Sequence, residues 1–481
     1  MAAPDRPLLL PHVFARRHVV SGSPLVVLHD TDRLENHRVS ERAWIVAGAM
    51  DGTRDAVGIQ RECEKQGAAT TIEEVRAFIA ELAGAGLVGE AHSARDDAAV
   101  SDQTHDADPP TRSARVEAPR PLEHLPGFVL QCDGGGSCCR FYPTVAFSPL
   151  DAARARAHLP LVQNAGMHPE LGFTAMRGTD ARMLAVALVD GRCAYLTKDD
   201  RCSIHERAGG DAKPLGCRTY PARFVDDGQS VRVSPWLECA CVLASATAKE
   251  GSALVDPSVR STSDLDPAIF VERLADSIHV APGRCASPAE ISAWATTVCG
   301  SRISNACASL LGLAAVLEAR GLDETDCRRA LEDPPPPDEA RLRHFLETLA
   351  PRAQRLAEES WRSDDDLARR SAIALSAAVT LALASLPELM GPTARFAEEE
   401  AFYVRALIFG HQLCHVRRPM SLVATDRAVR VVLARAIAVV AALTDLDDPA
   451  FAHPLGLVES SMRAYGLVAY LADVGVDAQP A

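Results

Sequence analysis

The chain of 481 residues has no surplus of positive charge. Its 50 Lys and Arg stand against 64 Asp and Glu, for a formal net charge of −14. An acidic chain is a poor general binder of polyanions, so nucleic acid is excluded as the default partner. Long apolar runs are also missing. The two oiliest segments, 371–386 and 428–443, are shorter than the roughly 20 residues that span a bilayer. The second also carries Arg430 and Arg435, so both are expected to be buried bundle helices rather than membrane spans. The opening apolar run, Leu8-Leu-Leu10, is too short for a signal-peptide core and is bracketed by prolines. No repeat of solenoid period and no glycine-rich dinucleotide fingerprint occurs. These absences imply a cytoplasmic protein with no membrane contact, in a compartment where thiols stay reduced. At 47% apolar and 24% charged, the chain is neither collagen-like nor wholly disordered.

Cysteine, by contrast, is concentrated. Of 14 in the chain, eight fall within residues 132–241: Cys132, Cys138, Cys139, Cys193, Cys202, Cys217, Cys239 and Cys241. An even spread would put about three there. Polarizable thiolates bind soft and borderline metals. Zinc takes four such ligands in a tetrahedron, and an iron–sulfur cubane takes one per iron. Eight thiols exceed one four-ligand site, so either two sites exist or some of the eight are structural. The glycines Gly134–Gly136 let backbone amides approach a sulfur or an anion closely. The adjacent pair Cys138-Cys139 points apart if extended, which suits a cluster or two sites better than one ion. Paired Cys-x-x-Cys knuckles, the Cys-x-x-x-Cys-x-x-Cys radical signature and the ferredoxin run are all absent. The residues alone therefore leave iron–sulfur and zinc both open, with buried structural cysteines or disulfides as the plain alternative.

The expected fold is mainly α with small β elements, in four segments. Residues 1–90 read as a winged-helix-like module. It has a strand at Leu25–Leu28, a helix capped by Ser40, a turn at Asp51-Gly52 and a second helix through Lys65. A third helix is opened by the capping box Thr71-Ile-Glu-Glu74, before a short Leu87-Val88 strand. Residues 91–120, rich in Asp, Ser, Ala and Pro, are expected to be a flexible linker. Residues 121–250 form a loop-rich cysteine-cluster domain. Residues 255–481 form an α-helical bundle, with helices near 290–320, 338–360, 364–388, 396–415, 424–444 and 455–473. Within it, Ser287-Pro-Ala-Glu290 is a second capping box and Pro334–Pro337 a polyproline loop.

Two stretches resemble known families. His29-Asp30, Arg33-Leu34, Met50-Asp-Gly-Thr-Arg54 and Thr71–Val88 resemble the PqqD-like peptide-recognition modules. That resemblance implies capture of a protein or peptide segment by strand addition at a sheet edge; a winged helix used only for packing is the alternative. The order Cys…Cys-Cys, Cys193-x-x-Leu196, Cys202-x-Ile204-x-Glu206-Arg207 and Cys217-Arg218-x-Tyr220-Pro221 is similar to the YkgJ-type zinc- or iron-chelating cysteine-cluster family, which includes flagellin lysine-N-methylases. Phe402–Gly410 faintly resembles a helix of that methylase branch. Six of the clustered cysteines fall in register and Cys239 looks like a later one of the methylase branch; the resemblance implies an iron–sulfur (4Fe-4S) or zinc centre, with all eight clustered cysteines as candidate ligands. For the methylase branch it also implies S-adenosylmethionine and a protein lysine substrate. The other expectation is a non-catalytic metal-binding module for interaction or metal handling.

The chain departs from that pattern at His205, at the insertion Ala208–Lys213 and at the glycine-rich Cys132–Cys138 segment. His205 is expected to pack as an aromatic replacement or, less readily, to ligate. Arg140, Arg218 and Tyr220 are expected to hydrogen-bond around the cluster. His411 and His415, four apart, would share one helical face and could hold a metal, although core or solvent-facing histidines are the simpler reading. Trp236, Trp294 and Trp361 read as packing residues.

Overall fold

The structure, a computed structural model, describes residues 4–10, 13–20, 22–30, 35–90, 119–132, 139, 146–158, 172–177, 180–199, 201–265, 269, 271–360, 366–415, 418–444 and 453–474. Cys138, Arg140, Trp361, Gly134–Gly136, Arg33-Leu34 and the linker through 118 lie outside these residues. The architecture is mainly α with small sheets. The chain divides into two compact units, residues 1–113 with 143–218, and residues 114–142 with 219–481. This division cuts across the 121–250 segment, whose cysteines are shared between the units.

The first unit opens with β1 (Pro7–Leu9), then an antiparallel meander of β2 (Val13–Val20), β3 (Ser23–Asp30) and β4 (Glu35–Ser40). Three helices follow: α1 (Glu41–Gly48), α2 (Ala56–Lys65) and α3 (Ile72–Gly84). Each start is capped as its sequence dictates: Ser40 Oγ accepts from the Ala43 amide, Asp55 from Gly58, and Thr71 and Glu74 close a reciprocal box. β5 (Val88–Glu90) returns to pair with β1. Trp44, Ile59, Val75, Ile79 and Leu82 of the helices bury against Val13, Ala15, Val26 and Leu28 of the meander.

The chain returns to this unit as β7 (Ala146–Phe147), α4 (Pro149–Arg156), β8 (Phe173–Arg177), β9 (Asp180–Val186), β10 (Leu188–Val189), β11 (Arg192–Cys193) and α5 (Ser203–Ala208), with β6 (Leu122–His124) intervening in the second unit. β10 pairs in parallel with His18 and Val19 of β2, giving a sheet ordered β11-β10-β2-β3-β4. The N-terminal sheet is thus continued by residues about 170 positions further on. Alternation along β2 puts Ala15 on the helix side and Phe14 on the other, where Phe14 meets Met176 and Ala185. Two buried arginines seal the join: Arg16 Nε donates to Val186 O at 2.9 Å and Arg17 Nη1 to Phe173 O at 2.8 Å.

α6 (Leu215–Thr219) carries the boundary between the units. In the second unit the hairpin β12 (Ala222–Asp226) and β13 (Val231–Pro235) is flanked by β14 (Glu272–Arg273) and β6. α7 (Ala240–Ala244) follows β13, and β15 (Ile278–Ala281) and β16 (Arg284–Ala286) make a separate hairpin. The rest is helical: α8 (Pro288–Val298), α9 (Ala306–Arg320), α10 (Glu324–Glu332), α11 (Glu339–Ser360), α12 (Asp366–Ala384), α13 (Leu386–Met390), α14 (Ala397–Phe409), α15 (Met420–Thr444), α16 (Pro454–Ala464) and α17 (Tyr470–Asp473). The expected 290–320 helix is two, because Asn305 caps a new start by accepting from the Ala308 amide.

α15 is the central helix, with α9, α12 and α16 packed on it. It is apolar on nearly every side, as a helix surrounded by others must be. Among the described residues no helix is long and apolar enough to cross a membrane. Its buried charges are paired. Arg435 makes two bonds to Glu400 and caps the Leu389 and Gly391 carbonyls. Arg430 bonds Asp426 and Glu459, Arg427 and Tyr403 also bond Glu459, and Tyr470 donates to Asp426 at 2.8 Å. Burial pushes the Glu459 carboxyl up, but Arg427 and Arg430 outweigh it and hold the group at about 2.

The folded pKa of Glu459 lies below the unfolded value of about 4.3, so its contribution is present above pH ~4.3 and fades as pH falls toward 2. Glu459→Gln is expected to cost on the order of a few kcal/mol at pH 6 and to flatten stability between pH 5 and 3; urea midpoints across that range measure both. At Gly410 an added Cβ would lie 2.3 Å from Ser234 Oγ and 3.0 Å from Ala406 O, whereas at Gly84 it would meet nothing within 4 Å. Gly410→Ala is expected to lose about 1–3 kcal/mol and Gly84→Ala to be neutral or to gain up to about 1 kcal/mol, read from the same midpoints.

Candidate metal centre

In the first unit a short locked segment positions two cysteines. Cys193 ends β11 opposite Leu188 of β10, so the sheet continued from β2 fixes its backbone. The chain then turns: the Leu196 amide donates to the Cys193 carbonyl at 2.8 Å, and Leu196 forms an antiparallel bridge with Cys202. Thr197 N–H to Arg201 O, at 2.7 Å, closes the loop between them. Cys202 stands at the N-cap position of α5, and its carbonyl receives the Glu206 amide at 3.0 Å. Both cysteines are half-buried beside a core of Phe147, Phe173, Tyr195 and Ile204. Burial, and then the negative charge of Cys193 and Cys202, pushes the buried Tyr195 phenol well above its ordinary range, against Arg156. The two sulfurs therefore sit within electrostatic reach of one buried ring. Cys217 is half-buried on α6, its amide bonded to Pro214 O at 2.9 Å.

In the second unit Cys132 is exposed, Cys139 half-buried, and Cys239 and Cys241 buried, each about 6% exposed. Cys239 takes the N-cap position of α7 and Cys241 lies in its first turn. The Gln131 amide donates to Ser245 Oγ at 2.8 Å, and the Ser245 hydroxyl donates to Cys241 O at 2.6 Å. That clasp ties the residue preceding Cys132 to the helix that carries Cys239 and Cys241. α7 itself is clamped by α16, where a Cβ on Gly456 would come within 3.2 Å of Ala240.

Cys193 is thus brought to Cys202 in one unit, and the Cys132 segment to the Cys239–Cys241 helix in the other. No two of the described cysteines are joined as a disulfide. Among the described residues no three Cys, His, Asp or Glu side chains converge as a metal-holding group. His205 does not pack as an aromatic: it is exposed on α5, against Gly210. The 208–213 insertion forms a 3-10 turn after Gly209, whose φ of +83° reverses the chain. Arg218 is exposed, whereas Tyr220 packs at the edge of the bundle core. Trp294 lies in that core, and Trp236 stacks beneath the guanidinium groups of Arg223 and Arg463.

His411 and His415 do not share a helical face. α14 ends at Phe409, with the Gln412 amide reaching back to Leu407 O at 2.8 Å and His411 in the left-handed region at φ +53°. His415 is exposed. His411 is buried 3.5 Å from Asp227, and burial outweighs that carboxylate and lowers its pKa. Asp227 accepts from Ser292 Oγ at 2.6 Å and from Arg232 Nε at 3.2 Å. Against burial, which raises it, the contact with His411, then the Ser230 amide, the Ser292 hydroxyl and the Gln229 amide hold the Asp227 carboxyl well below the usual carboxylate range. The sequence signal for this network is only an Asp-Asp-Gly turn at 226–228. The cluster of buried polar groups around it depends on Ser292 and His411, some 65 and 184 residues away.

The chain matches no model of a known protein family, no curated protein and no solved structure.

In the first unit Cys193, Cys202 and Cys217, and in the second Cys239, are the thiols most strongly fixed by backbone. On the metal-centre reading proposed below, Cys202→Ser and Cys217→Ser are each expected to reduce bound metal by at least about half relative to the parent. Cys299→Ser, at the end of α8, is expected to leave metal content unchanged. Plasma emission analysis of oxygen-free preparations measures all three.

Proposed function

We propose that this chain is a thiolate-bound metal-centre protein that modifies a protein or peptide, of the kind the YkgJ-type resemblance implies, with S-adenosylmethionine-dependent lysine N-methylation as the reaction. The observation that carries the metal-centre part is the Cys193–Leu196–Cys202 lock. It holds two half-buried thiols at fixed backbone positions beside a buried phenol, with no disulfide between them. The donor set fits either metal: sulfur ligands suit an iron–sulfur cluster and zinc equally. Cys193, Cys202 and Cys217 in the first unit, and Cys132, Cys138, Cys139, Cys239 and Cys241 in the second, are the candidate ligands, more than one four-ligand site takes up.

Peptide capture is supported by the N-terminal sheet. β2 is covered by β10, whereas β4 (Glu35–Ser40) ends the sheet, with no further strand on it among the described residues. A guest strand would therefore add along β4, where main-chain bonds give affinity and alternate side chains give selectivity. Methyl transfer to lysine forms an N–C bond as the C–S bond of the sulfonium breaks. It requires a neutral amine, so the site must lower the lysine pKa by desolvation or a nearby cation.

The burial of Cys239 and Cys241 inside the bundle core favours a second reading, a non-catalytic zinc or iron module. Oxygen-free purification separates the two. The first reading expects a brown protein with iron and acid-labile sulfide that retains S-adenosylmethionine through gel filtration. A colourless protein holding one zinc, with no retention of that donor, favours the module. A protein with neither metal nor sulfide removes both.

A further inference from the structure

Six cysteines lie outside the 132–241 cluster, and one of them differs in chemical setting from the rest. Cys63, Cys307 and Cys327 are buried, and Cys299 and Cys414 half-buried. Burial raises the thiol pKa of all five, to about 12 for Cys307 and Cys414 and about 11 for Cys327. A protonated, enclosed thiol is a poor nucleophile. Cys285 is exposed. It sits on β16 directly opposite His279 of β15, in a hairpin turned by Pro282-Gly283 with Gly283 at φ +72°. The neighbouring pair Ile278–Ala286 is buried in the bundle core, so alternation turns His279 and Cys285 outward together. Their side chains meet, with Cys285 Sγ 3.4 Å from His279 Nδ1.

We propose that the Cys285–His279 pair is a reversible S-thiolation site that reacts with small disulfides. His279 Nδ1 takes the thiol proton, and the Cys285 thiolate attacks one sulfur of the disulfide RS–SR. A Cys285–SR bond forms as the S–S bond breaks. The departing thiolate RS⁻ collects the proton from His279 and leaves as RSH. The disulfide is the only oxidant, and a second thiol reverses the step. The cross-strand pairing of His279 with Cys285, just before a register shift at Ala281, supplies the contact that makes the transfer direct.

The full-length protein, prepared without oxygen and then incubated with glutathione disulfide, tests the site by timed peptide mass mapping. Cys285 is expected to gain the glutathionyl adduct at least about tenfold faster than Cys299 or Cys414. His279→Ala and His279→Gln are each expected to slow Cys285 about tenfold or more, and added imidazole to restore much of the rate in His279→Ala. Cys299 and Cys414, outside the 132–241 cluster, serve as internal controls, and their rates should not change with His279. The proposal fails if Cys285 reacts no faster than Cys299. It also fails if its rate is indifferent to His279, or if the histidine variants bring Cys299 and Cys414 up to the rate of Cys285, the mark of general unfolding. Metal content is not read, so the outcome is independent of the centre proposed above.

Discussion

A charge removed from water must find an opposite charge, and the second unit is arranged around that requirement. Its central helix, Met420–Thr444, carries Asp426, Arg427, Arg430 and Arg435 on an otherwise apolar cylinder. The guanidinium groups are answered from two neighbours: Arg435 by Glu400 of α14, and Arg427 and Arg430 both by Glu459 of α16. Hydrophobic contact alone would let such helices slide or rotate at modest cost. Pairing fixes their register, because a one-residue slip would leave a buried ion alone, which costs several kcal/mol. The same helices then fix what lies outside them. α16 presses on α7 with its two cysteines, and the turn after α14 meets β13 at Gly410.

The first unit answers a different constraint, that a strand edge must be closed. β2 could have been the edge of a small three-stranded meander. Instead Leu188–Val189 pair with it, and Arg16 and Arg17 reach across to carbonyls of the later strands. Cys193 hangs from that borrowed strand. Its position therefore depends on a pairing between residues far apart in the chain, not on its own neighbours.

How much of this was legible in the residues follows from the range of the forces involved. Local rules were readable. The capping boxes at Thr71/Glu74 and Ser287/Glu290 form as their spacing dictates, and the proline loop at 334–337 separates helices as expected. Val13–Val20 was not read as a strand because two central arginines and a histidine disguise its alternation; those arginines are buried only because β8 and β9 provide carbonyls. The helix expected over 396–415 ends at Phe409 for a similar reason. Its apolar pattern continues past Phe409, but Gly410 must lie against Ser234, and His411 then reverses the chain. Of the eight clustered cysteines, only the closeness of Cys193 and Cys202 along the chain is legible. The division of the set between two units is not, because it is decided by which core each flanking segment joins.

The borrowed strand also has a consequence in time. A ribosome adding about 5–20 residues per second finishes β2 some ten to thirty seconds before it reaches Leu188. Throughout that interval the nascent meander presents bare amides and carbonyls along β2, and the buried-to-be guanidinium groups of Arg16 and Arg17 remain hydrated. The N-terminal sheet is therefore completed only after the chain has passed Leu188, well after β2 itself is made, and until then the flank of β2 is open to a chaperone or to a neighbouring polysome.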